Sequence, residues 1–398
     1  KTRQITNTLD GEFNPEFAAD ENKISYTSSN NRFVWDVSDG SVIQLTNFNK
    51  GQERKEPKKS EMEEWLMEDQ LAYFEILRQR KAVRELEKQR DEALDPQRPK
   101  AIYYGDKRIS NIQSSPDLKF VTFRLTDPSK AQGTKVPNFV TETGYLEDLN
   151  SRVKVGSQQD TYEMGVYDIE RDSFYIIDTK DLEGILAKPA FLYEYHRDTV
   201  PFKDTYDKPK EVIIHGPFFS EDSKAAIVVR SMDNKDRWIC LLNMATGELK
   251  QLDWQHDEAW IGGPGIVGWN FSAGNIGWMS DNKHLYFQSE VTGFSHLYTV
   301  NVETGEKNAL TNGKFEILEA DLSKDKKYFY ITANKENPHE HHFYRMPVKG
   351  GSMEKLTDLE GNNSVTLSPD EKYMLIRYSF SNKPWELYLK ENRPGSTP

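Results

Sequence analysis

The sequence has a single cysteine and no apolar run of about 18 residues, and each shortage excludes a class of protein. Because Cys240 stands alone among 398 residues, the chain can form neither an internal disulfide nor a cysteine-based metal site. The lack of a long apolar run excludes a membrane-spanning helix. Cys240 lies in the strand-like run RWICLLN, so we interpret it as a small buried hydrophobic residue.

Basic residues are also in short supply. The chain has 52 Lys and Arg against 64 Asp and Glu, a formal net charge of -12, and its isoelectric point is near 5.3. A surface of this charge does not neutralise phosphates, so nucleic acid is excluded as a partner. The same acidity disfavours binding to anionic membranes.

Several catalytic motifs are absent. The sequence contains no Gly-x-Ser-x-Gly elbow, no phosphate loop and no His-Glu-x-x-His motif, each of which would place a nucleophile, a nucleotide or a zinc ion. Residues 268–274 resemble the elbow only superficially, and we interpret them as a connecting loop. The chain therefore offers no serine nucleophile in a recognisable setting.

What the chain has instead is one pattern of short strands, repeated six times. Aromatic residues make up 12% of it and the whole hydrophobic set only 36%, which is typical of many short β-strands. Each copy has a turn of the Ser-Pro-Asp type, a strand, an aromatic strand, a glycine turn and a closing strand ending near Leu-Thr. The six turns lie at residues 19–21, 115–117, 220–222, 280–282, 323–325 and 368–370.

The spacing of these turns is the period of a β-propeller blade. Ser280 and Ser323 are 43 residues apart and Ser323 and Ser368 are 45 apart, and a four-stranded blade needs about 40–50 residues. One such sheet cannot bury both faces alone, so the sheets stack around an axis. The sequence predicts an all-β propeller over residues 1–398, with six recognisable blades and seven or eight in the complete ring.

The two ends of the chain differ from the repeat. Residues 1–6 have the pattern of a closing strand with no blade before it, and no fourth strand follows WELYLK at residues 385–390. We expect either that the first strand completes the last blade or that the domain is incomplete at one or both ends.

Two insertions interrupt the repeat. Residues 51–100 contain a predicted helix from about Ser60 to Leu94, with Ser60 as N-cap and Glu63 in the capping-box position. Its apolar side chains form a narrow stripe that we expect to contact something: Trp65, Tyr73, Ile76, Leu77, Val83 and Leu86. The helix is interpreted either as a solvated helix lying on the propeller or as an arm that packs on a partner subunit or domain. The second insertion, residues 127–160, predicts a loop or β-arm.

The sequence supports two further chemical sites, a zinc site and a glycosidase site, less well than it supports a binding role. His339, His341 and His342 stand beside Glu340 and are of the residue types that bind zinc, but His341 and His342 would point to opposite sides of a strand. A propeller glycosidase needs two carboxylates about 5–10 Å apart, and the sequence singles out no pair. We expect no catalytic residue, no cofactor and no metal in this chain, and its substrate-binding residues stay unidentified.

The stretch SEVTGFSHLYTVNVETGEKNALTNGKFEIL, residues 289–318, and the segments after it carry a family resemblance. They resemble the N-terminal propeller of dipeptidyl peptidase IV and its relatives in the prolyl oligopeptidase family. The residues in the matching places are Glu290, Gly293, His296, Leu297, Tyr298, Leu310, Thr311, Gly313 and Phe315. The resemblance is specific over about residues 277–390 and looser over residues 13–50 and 108–250.

The resemblance implies a serine peptidase whose propeller covers an α/β-hydrolase domain that carries the Ser-Asp-His triad and is absent from this chain. The family's exopeptidases also hold the free amine of the substrate with two glutamates on a short helical segment before a Ser-Pro-Asp turn. Here the helical insertion takes that place. Its carboxylates Glu63, Glu64, Glu68 and Asp69 lie in no matching motif.

We therefore interpret the chain as the non-catalytic propeller module of a dipeptidyl-peptidase-IV-like serine peptidase. It would gate and position peptide substrates for the missing hydrolase domain, in the periplasm or outside the cell, and the helical arm is compatible with a homodimer. The alternative is a free-standing binding or scaffold propeller without peptidase function.

Overall fold

The computed structural model describes residues 4–53, 59–94, 99–192, 205–266 and 268–397. The chain divides into two compact units. The first comprises residues 1–114, 118–128 and 167–174, and the second comprises residues 115–117, 129–166 and 175–398. Within the described ranges, every helix is too short or too polar to cross a bilayer.

The first unit contains a four-stranded antiparallel sheet whose strands follow chain order. They are β1 (Glu12–Phe17), β2 (Lys23–Ser28), β3 (Asn31–Asp36) and β4 (Val42–Gln44). After the helical insertion, β7 (Arg108–Ser114) and β8 (Phe120–Asp127) form a hairpin. The buried side chains Val34, Phe48, Ile102, Phe123 and Tyr167 belong to one apolar core in this unit.

A short parallel pair of strands holds the two ends of the helical insertion together. β5 (Asn47–Asn49) lies beside β6 (Ala101–Tyr103), with Phe48 opposite Ile102. Both of these side chains are buried in the core of the first unit. The insertion therefore starts and ends at one anchored place.

The insertion forms two helices, α1 (Glu61–Tyr73) and α2 (Glu75–Leu94). The predicted capping box is confirmed: Glu63 N donates to Ser60 Oγ at 3.3 Å and Ser60 N donates to Glu63 Oε2 at 2.7 Å. The prediction of one unbroken helix is wrong. Phe74 ends α1 in an extended conformation, with φ -114° and ψ 102°, because two adjacent aromatic residues have weak helix propensity and favour a break.

The apolar stripe of these helices is open to solvent in this chain. Trp65 is 60% exposed, Tyr73 77% and Ile76 56%, and α1 has no buried residue. The predicted burial of the stripe is therefore not found among the described residues.

The second unit contains most of the strands. β9 (Gly133–Asn138) and β10 (Glu147–Val153) pair as a two-stranded antiparallel arm within the second insertion. β11 (Thr161–Asp168) and β12 (Ser173–Ile176) have residues in both units. The next four-stranded sheet consists of β13 (Val212–Phe219), β14 (Ala225–Ser231), β15 (Asp236–Leu242) and β16 (Leu249–His256).

Three further antiparallel sheets complete the second unit. The first consists of β17 (Ile276–Trp278), β18 (His284–Ser289), β19 (His296–Asn301) and β20 (Lys307–Ala309). The second consists of β21 (Ile317–Leu322), β22 (Tyr328–Ala333), β23 (His342–Pro347) and β24 (Glu354–Lys355). The third has three strands, β25 (Asn362–Leu367), β26 (Tyr373–Phe380) and β27 (Lys383–Glu391).

These repeated sheets confirm the predicted propeller class, because each follows the order that the sequence pattern gives. The predicted closing strand at the start of the chain is wrong for its described part. Residues 4–6 belong to no strand, since Gln4 Nε2 donates to the nearby Thr6 carbonyl at 2.8 Å and Ile5 is half-exposed. Residues 1–3 lie outside the described residues.

The turn residues of the repeat act through one hydrogen bond. In four copies the serine Oγ donates to Oδ1 of the aspartate two residues later, at 2.5 to 2.7 Å. These pairs are Ser115 with Asp117, Ser220 with Asp222, Ser323 with Asp325, and Ser368 with Asp370. In the last copy, bonds from Ser368 and Lys372 lower the pKa of Asp370 to about 2. The Ser-x-Asp motif therefore serves to form the turn.

The Leu-Thr ending of the closing strands also has a structural cause. Thr311 Oγ1 accepts from the backbone N–H of Leu297 at 3.0 Å, and Thr357 Oγ1 accepts from that of Phe343 at 2.9 Å. Thr46 does the same for Arg32 at 2.9 Å. In these three copies the threonine lies just beyond the last strand, and its hydroxyl satisfies a buried backbone donor on the third strand.

Candidate functional site

A cavity of about 770 Å³ lies in the second unit, between the end of β16, the loop after it and the β17–β20 sheet. Its walls combine aromatic rings with charged groups. The aromatic members are Trp254, Trp260, Phe287 and Tyr298, and the charged members are Asp253, His256, Asp257, Glu290 and Lys307. Such a mixture suits the binding of a ligand that is part apolar and part charged.

The buried carboxylate of Asp236 positions one wall. Its Oδ1 accepts from Trp254 Nε1 at 3.0 Å and contacts His256 Nδ1 at 2.7 Å, and its Oδ2 pairs with Lys210. Burial acts to lower the pKa of His256, but its hydrogen bonds to Asp236 and Glu258 raise that pKa above the ordinary value. The wall is thus fixed by a buried ionic cluster.

The loop after β16 begins with a turn that Asp257 builds. Its Oδ1 accepts from the backbone N–H of Ala259 at 2.7 Å and of Trp260 at 3.1 Å. This turn presents Trp260, which is 59% exposed, at the cavity. The backbone N–H of Ile261 then donates to the Asn234 carbonyl at 2.8 Å, which ties the loop to the neighbouring hairpin.

Two buried arginines hold the rest of this loop by its carbonyls. Arg230 Nη1 donates to the Ile266 carbonyl at 2.8 Å, and Arg237 Nε donates to the Ala273 carbonyl at 3.1 Å. Burial lowers the pKa of Arg230 to about 10 and that of Arg237 to about 9. Both values stay above neutral pH, so both guanidiniums are charged and act as fixed donors.

The carboxylate of Glu290 packs directly on the loop backbone. A Cβ atom at Gly263 would lie 1.9 Å from Glu290 Oε1, so a larger residue would make the carboxylate move, and the φ of +89° at this position also favours glycine. Partial desolvation and the negative charges of Glu316 and Asp257 raise the pKa of Glu290. Glu290 is therefore a partly desolvated carboxylate with other acids nearby.

The two basic side chains of the walls are bound to other acids. Lys307 Nζ lies 2.8 Å from Asp253 Oδ1, and His256 lies between Asp236 and Glu258. The rings opposite are ordered: Phe287 and Tyr298 stack with centroids 5.9 Å apart and planes at 23°. The arrangement offers aromatic faces and negative charge, which suits noncovalent binding of a cation.

The carboxylates that the sequence placed on the helical insertion are not part of this cavity. Glu63 is used in the capping box of α1, and Glu64, Glu68 and Asp69 are on the same unburied helix. The histidine cluster is structural as well. His342 is buried, with Nδ1 3.3 Å from Thr357 Oγ1 and Nε2 3.0 Å from Glu340 Oε2. Among the described residues, no group of three or more ligating side chains is placed to hold a metal.

Sequence reasoning missed the walls of the cavity. The segment DWQHDEAWIGGPG, residues 253–265, places three acids, two tryptophans and a histidine directly before a run of glycines. That density of aromatic and acidic residues at a blade-connecting loop was the available signal. Residues 268–274, expected to be a connecting loop, lie in the same connection, which contains a 3-10 helix at Trp269–Phe271.

Comparison with known proteins gives a consistent family signal. The profile of the family described as "Dipeptidyl peptidase IV (DPP IV) N-terminal region" matches residues 108–385. The "Probable dipeptidyl-aminopeptidase B" of Coccidioides posadasii (strain C735) is 23% identical over 301 residues, which cover 68% of this chain and 29% of that protein. The protein of the same description in Arthroderma otae is 33% identical over 99 residues, covering 24% of this chain and 11% of that protein.

The fold comparison agrees. The crystal structure of Porphyromonas gingivalis dipeptidyl peptidase 4 superposes with a TM-score of 0.55 at 13% identity, covering 97% of this chain and 44% of that one. At that identity the likeness concerns the fold alone. The chain spans less than a third of the length of the Coccidioides relative.

Proposed function

Since the family profile covers well over half of it, the chain belongs to the family of dipeptidyl peptidase IV N-terminal regions, and we propose that it is the non-catalytic propeller module of a serine peptidase of this kind. In this role it gates and positions peptide substrates for a C-terminal α/β-hydrolase domain of the same protein. The catalytic triad would lie wholly in that domain.

One observation supports this proposal more than any other. The matched stretch makes up only 29% of the Coccidioides relative, whose name describes a dipeptidyl-aminopeptidase. The matched residues thus correspond to one part of that longer relative, which supports the proposal of a module. The cavity with aromatic and acidic walls adds a place where a peptide could be held outside the reaction centre.

The proposal is tested by comparing the 398-residue chain with the complete product of its gene. Both are treated with a fluorophosphonate probe and assayed on dipeptidyl nitroanilides. We expect labelling and hydrolysis only in the complete product, because no serine of this chain has an elbow, a base and an oxyanion hole. Gating predicts in addition that the complete enzyme cleaves a peptide when it is unfolded and spares it within a folded protein.

Two outcomes would count against the module. Covalent labelling of any serine in the 398-residue chain would give the chain its own catalytic site. A gene that stops after Pro398 would favour the alternative, a free-standing binding or scaffold propeller without peptidase function.

We further propose that the apolar stripe of α1 and α2 packs on a second copy of the protein, because Trp65, Tyr73 and Ile76 are more than half exposed. Light scattering should give a dimer for the unaltered protein and a monomer for Ile76→Glu. Gln79→Glu, which changes charge at an exposed polar position of α2, is the matched control. A monomer in all three samples contradicts the dimer.

The proposed compartment is the periplasm or the extracellular space, where a peptidase meets peptides from outside the cell. Cell fractionation with an antibody to the complete protein checks it, and recovery in the cytosolic fraction would contradict it.

A further inference from the structure

We propose that the cavity beside β16 binds the basic side chain of a peptide, an ammonium or guanidinium group carried on an apolar stem. The site is assigned by its place among Trp254, Trp260, Tyr298, Asp257 and Glu290. The inference rests on the proposed function in one respect, because it takes the cation to be part of a peptide. The affinity of the walls for a cation does not depend on that function.

The charge of the walls favours a cation. Partial desolvation of the Glu290 carboxylate, together with the negative charges of Glu316 and Asp257, raises its pKa. The basic side chains of the walls, Lys307 and His256, are already paired with other carboxylates, so they do not cancel the negative charge of Glu290 and Asp257. Acidic residues alone would define no site, but these stand at a formed cavity of about 770 Å³.

The aromatic walls favour an organic cation over a metal ion. Tryptophan and tyrosine faces attract ammonium and guanidinium groups within about 6 Å of the ring centroid. Hard metal ions prefer cages of several oxygen ligands, whereas here four aromatic side chains line the cavity together with the acids. A lysine or arginine side chain matches both features, because its stem covers apolar surface while its head group meets a carboxylate.

The site is also preorganised. Asp236 fixes Trp254 by a 3.0 Å hydrogen bond, the Asp257 turn fixes Trp260 through its backbone at 3.1 Å, and Gly263 leaves the space that the Glu290 carboxylate fills. The side chains of the walls are therefore already ordered before a ligand binds, and this reduces the entropic cost of binding.

Four capped or uncapped tripeptides separate the sources of the cation. Acetyl-Ala-Arg-Ala-amide carries only a side-chain cation, and acetyl-Ala-citrulline-Ala-amide is its neutral counterpart of nearly equal shape. Ala-Ala-Ala-amide carries only a terminal ammonium, and acetyl-Ala-Ala-Ala-amide carries no charge. Binding to the 398-residue chain is measured by calorimetry and by tryptophan fluorescence, because Trp254 and Trp260 are in the walls.

We expect the arginine peptide to bind about tenfold or more tightly than the citrulline peptide, the range of a charge-assisted hydrogen bond. Glu290→Gln should weaken arginine binding by about tenfold and leave citrulline binding unchanged. Glu303→Gln is the matched control, since Glu303 is an exposed acid on the β19–β20 turn outside the cavity lining. Trp260→Leu should weaken binding about threefold or more through loss of the ring face, and circular dichroism confirms folding of each variant.

Equal binding of the arginine and citrulline peptides, or arginine binding that Glu290→Gln leaves intact, would overturn the proposal. If only Ala-Ala-Ala-amide bound, the site would recognise a terminal ammonium and not a basic side chain, and the proposal would be wrong. Failure of all four peptides to bind overturns the site without touching the peptidase proposal, because fluorophosphonate labelling of the complete enzyme does not depend on this cavity.

Discussion

The Thr311→Val substitution tests whether the repeated Leu-Thr ending stabilises the blades. Thr311 Oγ1 accepts from the backbone N–H of Leu297 at 3.0 Å and lies 3.1 Å from His296 Nδ1. His296 Nε2 lies 3.0 Å from the Gly313 carbonyl, which can only accept. In the neutral ring the proton is therefore on Nε2, and Nδ1 accepts from the threonine hydroxyl. Valine keeps the shape and removes both bonds.

The cost follows from the burial of the two groups. His296 is 1% exposed and Leu297 is 0% exposed, so water does not replace the lost partner. Each buried polar group left unsatisfied costs about 1–3 kcal/mol, and the added methyl returns about 0.8 kcal/mol. The net loss of unfolding free energy for the two groups is then about 1–5 kcal/mol.

The measurement is hydrogen–deuterium exchange of the peptide that contains β19, supported by urea unfolding. Exchange is the primary readout because a protein with several sheets need not unfold in one step. Thr311→Ser keeps the hydroxyl and should retain most of the protection. Thr304→Val, at an exposed turn position whose Oγ1 accepts from Glu306 N at 3.2 Å, should change stability by no more than about 0.5 kcal/mol. If Thr311→Val matched Thr304→Val, the explanation of the Leu-Thr motif would be wrong.

Three further changes test other parts of the structure. Ser60→Ala should speed amide exchange in the first turn of α1 by roughly fivefold. Hydrogen bonds from the backbone N–H and the hydroxyl of Ser60 lower the pKa of Glu63 below its ordinary value, and the substitution removes only the hydroxyl. The part of the difference that comes from the hydroxyl's bond to the Glu63 carboxylate should be full above the ordinary pKa and be lost as pH falls through the lowered one, whereas the part that comes from the cap on the Glu63 N–H should remain. Arg237→Met removes the donor of the Ala273 carbonyl in the loop and of the Gln288 carbonyl in β18. Residues 261–275 should exchange or be cleaved by protease about tenfold faster, with protection of the β21–β24 sheet unchanged, and equal rates in the loop would show that Arg237 does not hold it. Replacing residues 56–95 with a short Gly-Ser linker should leave a cooperative thermal transition, because β5 and β6 hold the ends of the insertion together; loss of that transition would make the insertion part of the core.

The blade repeat could be predicted because its signals are local. The Ser-x-Asp turn closes through a bond between residues two apart, as in Ser323 and Asp325 at 2.7 Å. The alternation of each strand likewise depends on neighbours in sequence. The capping box at Ser60 was equally local and was confirmed.

The break at Phe74 and the cavity could not be predicted in the same way. Helix propensity favours or disfavours a segment but does not locate a one-residue interruption. The cavity depends on distant pairs: Asp253 meets Lys307 at 2.8 Å, and Glu290 packs on Gly263. These contacts arise only when one sheet and the loop of another are brought together in space.

The stretch at residues 289–318 contains residues that close a blade and residues that line the cavity, Glu290 among them. His296 is joined to Thr311 and Gly313 by hydrogen bonds, and its ring meets that of Phe315 edge-on at 5.2 Å. These residues therefore serve to close one blade. Glu290 takes no part in that closure. Its carboxylate instead occupies the space over Gly263 at the cavity, where partial desolvation and the negative charges of Glu316 and Asp257 raise its pKa. The place of Glu290 at the cavity, together with the aromatic side chains of the same walls, is therefore the reason for proposing that it binds a cation.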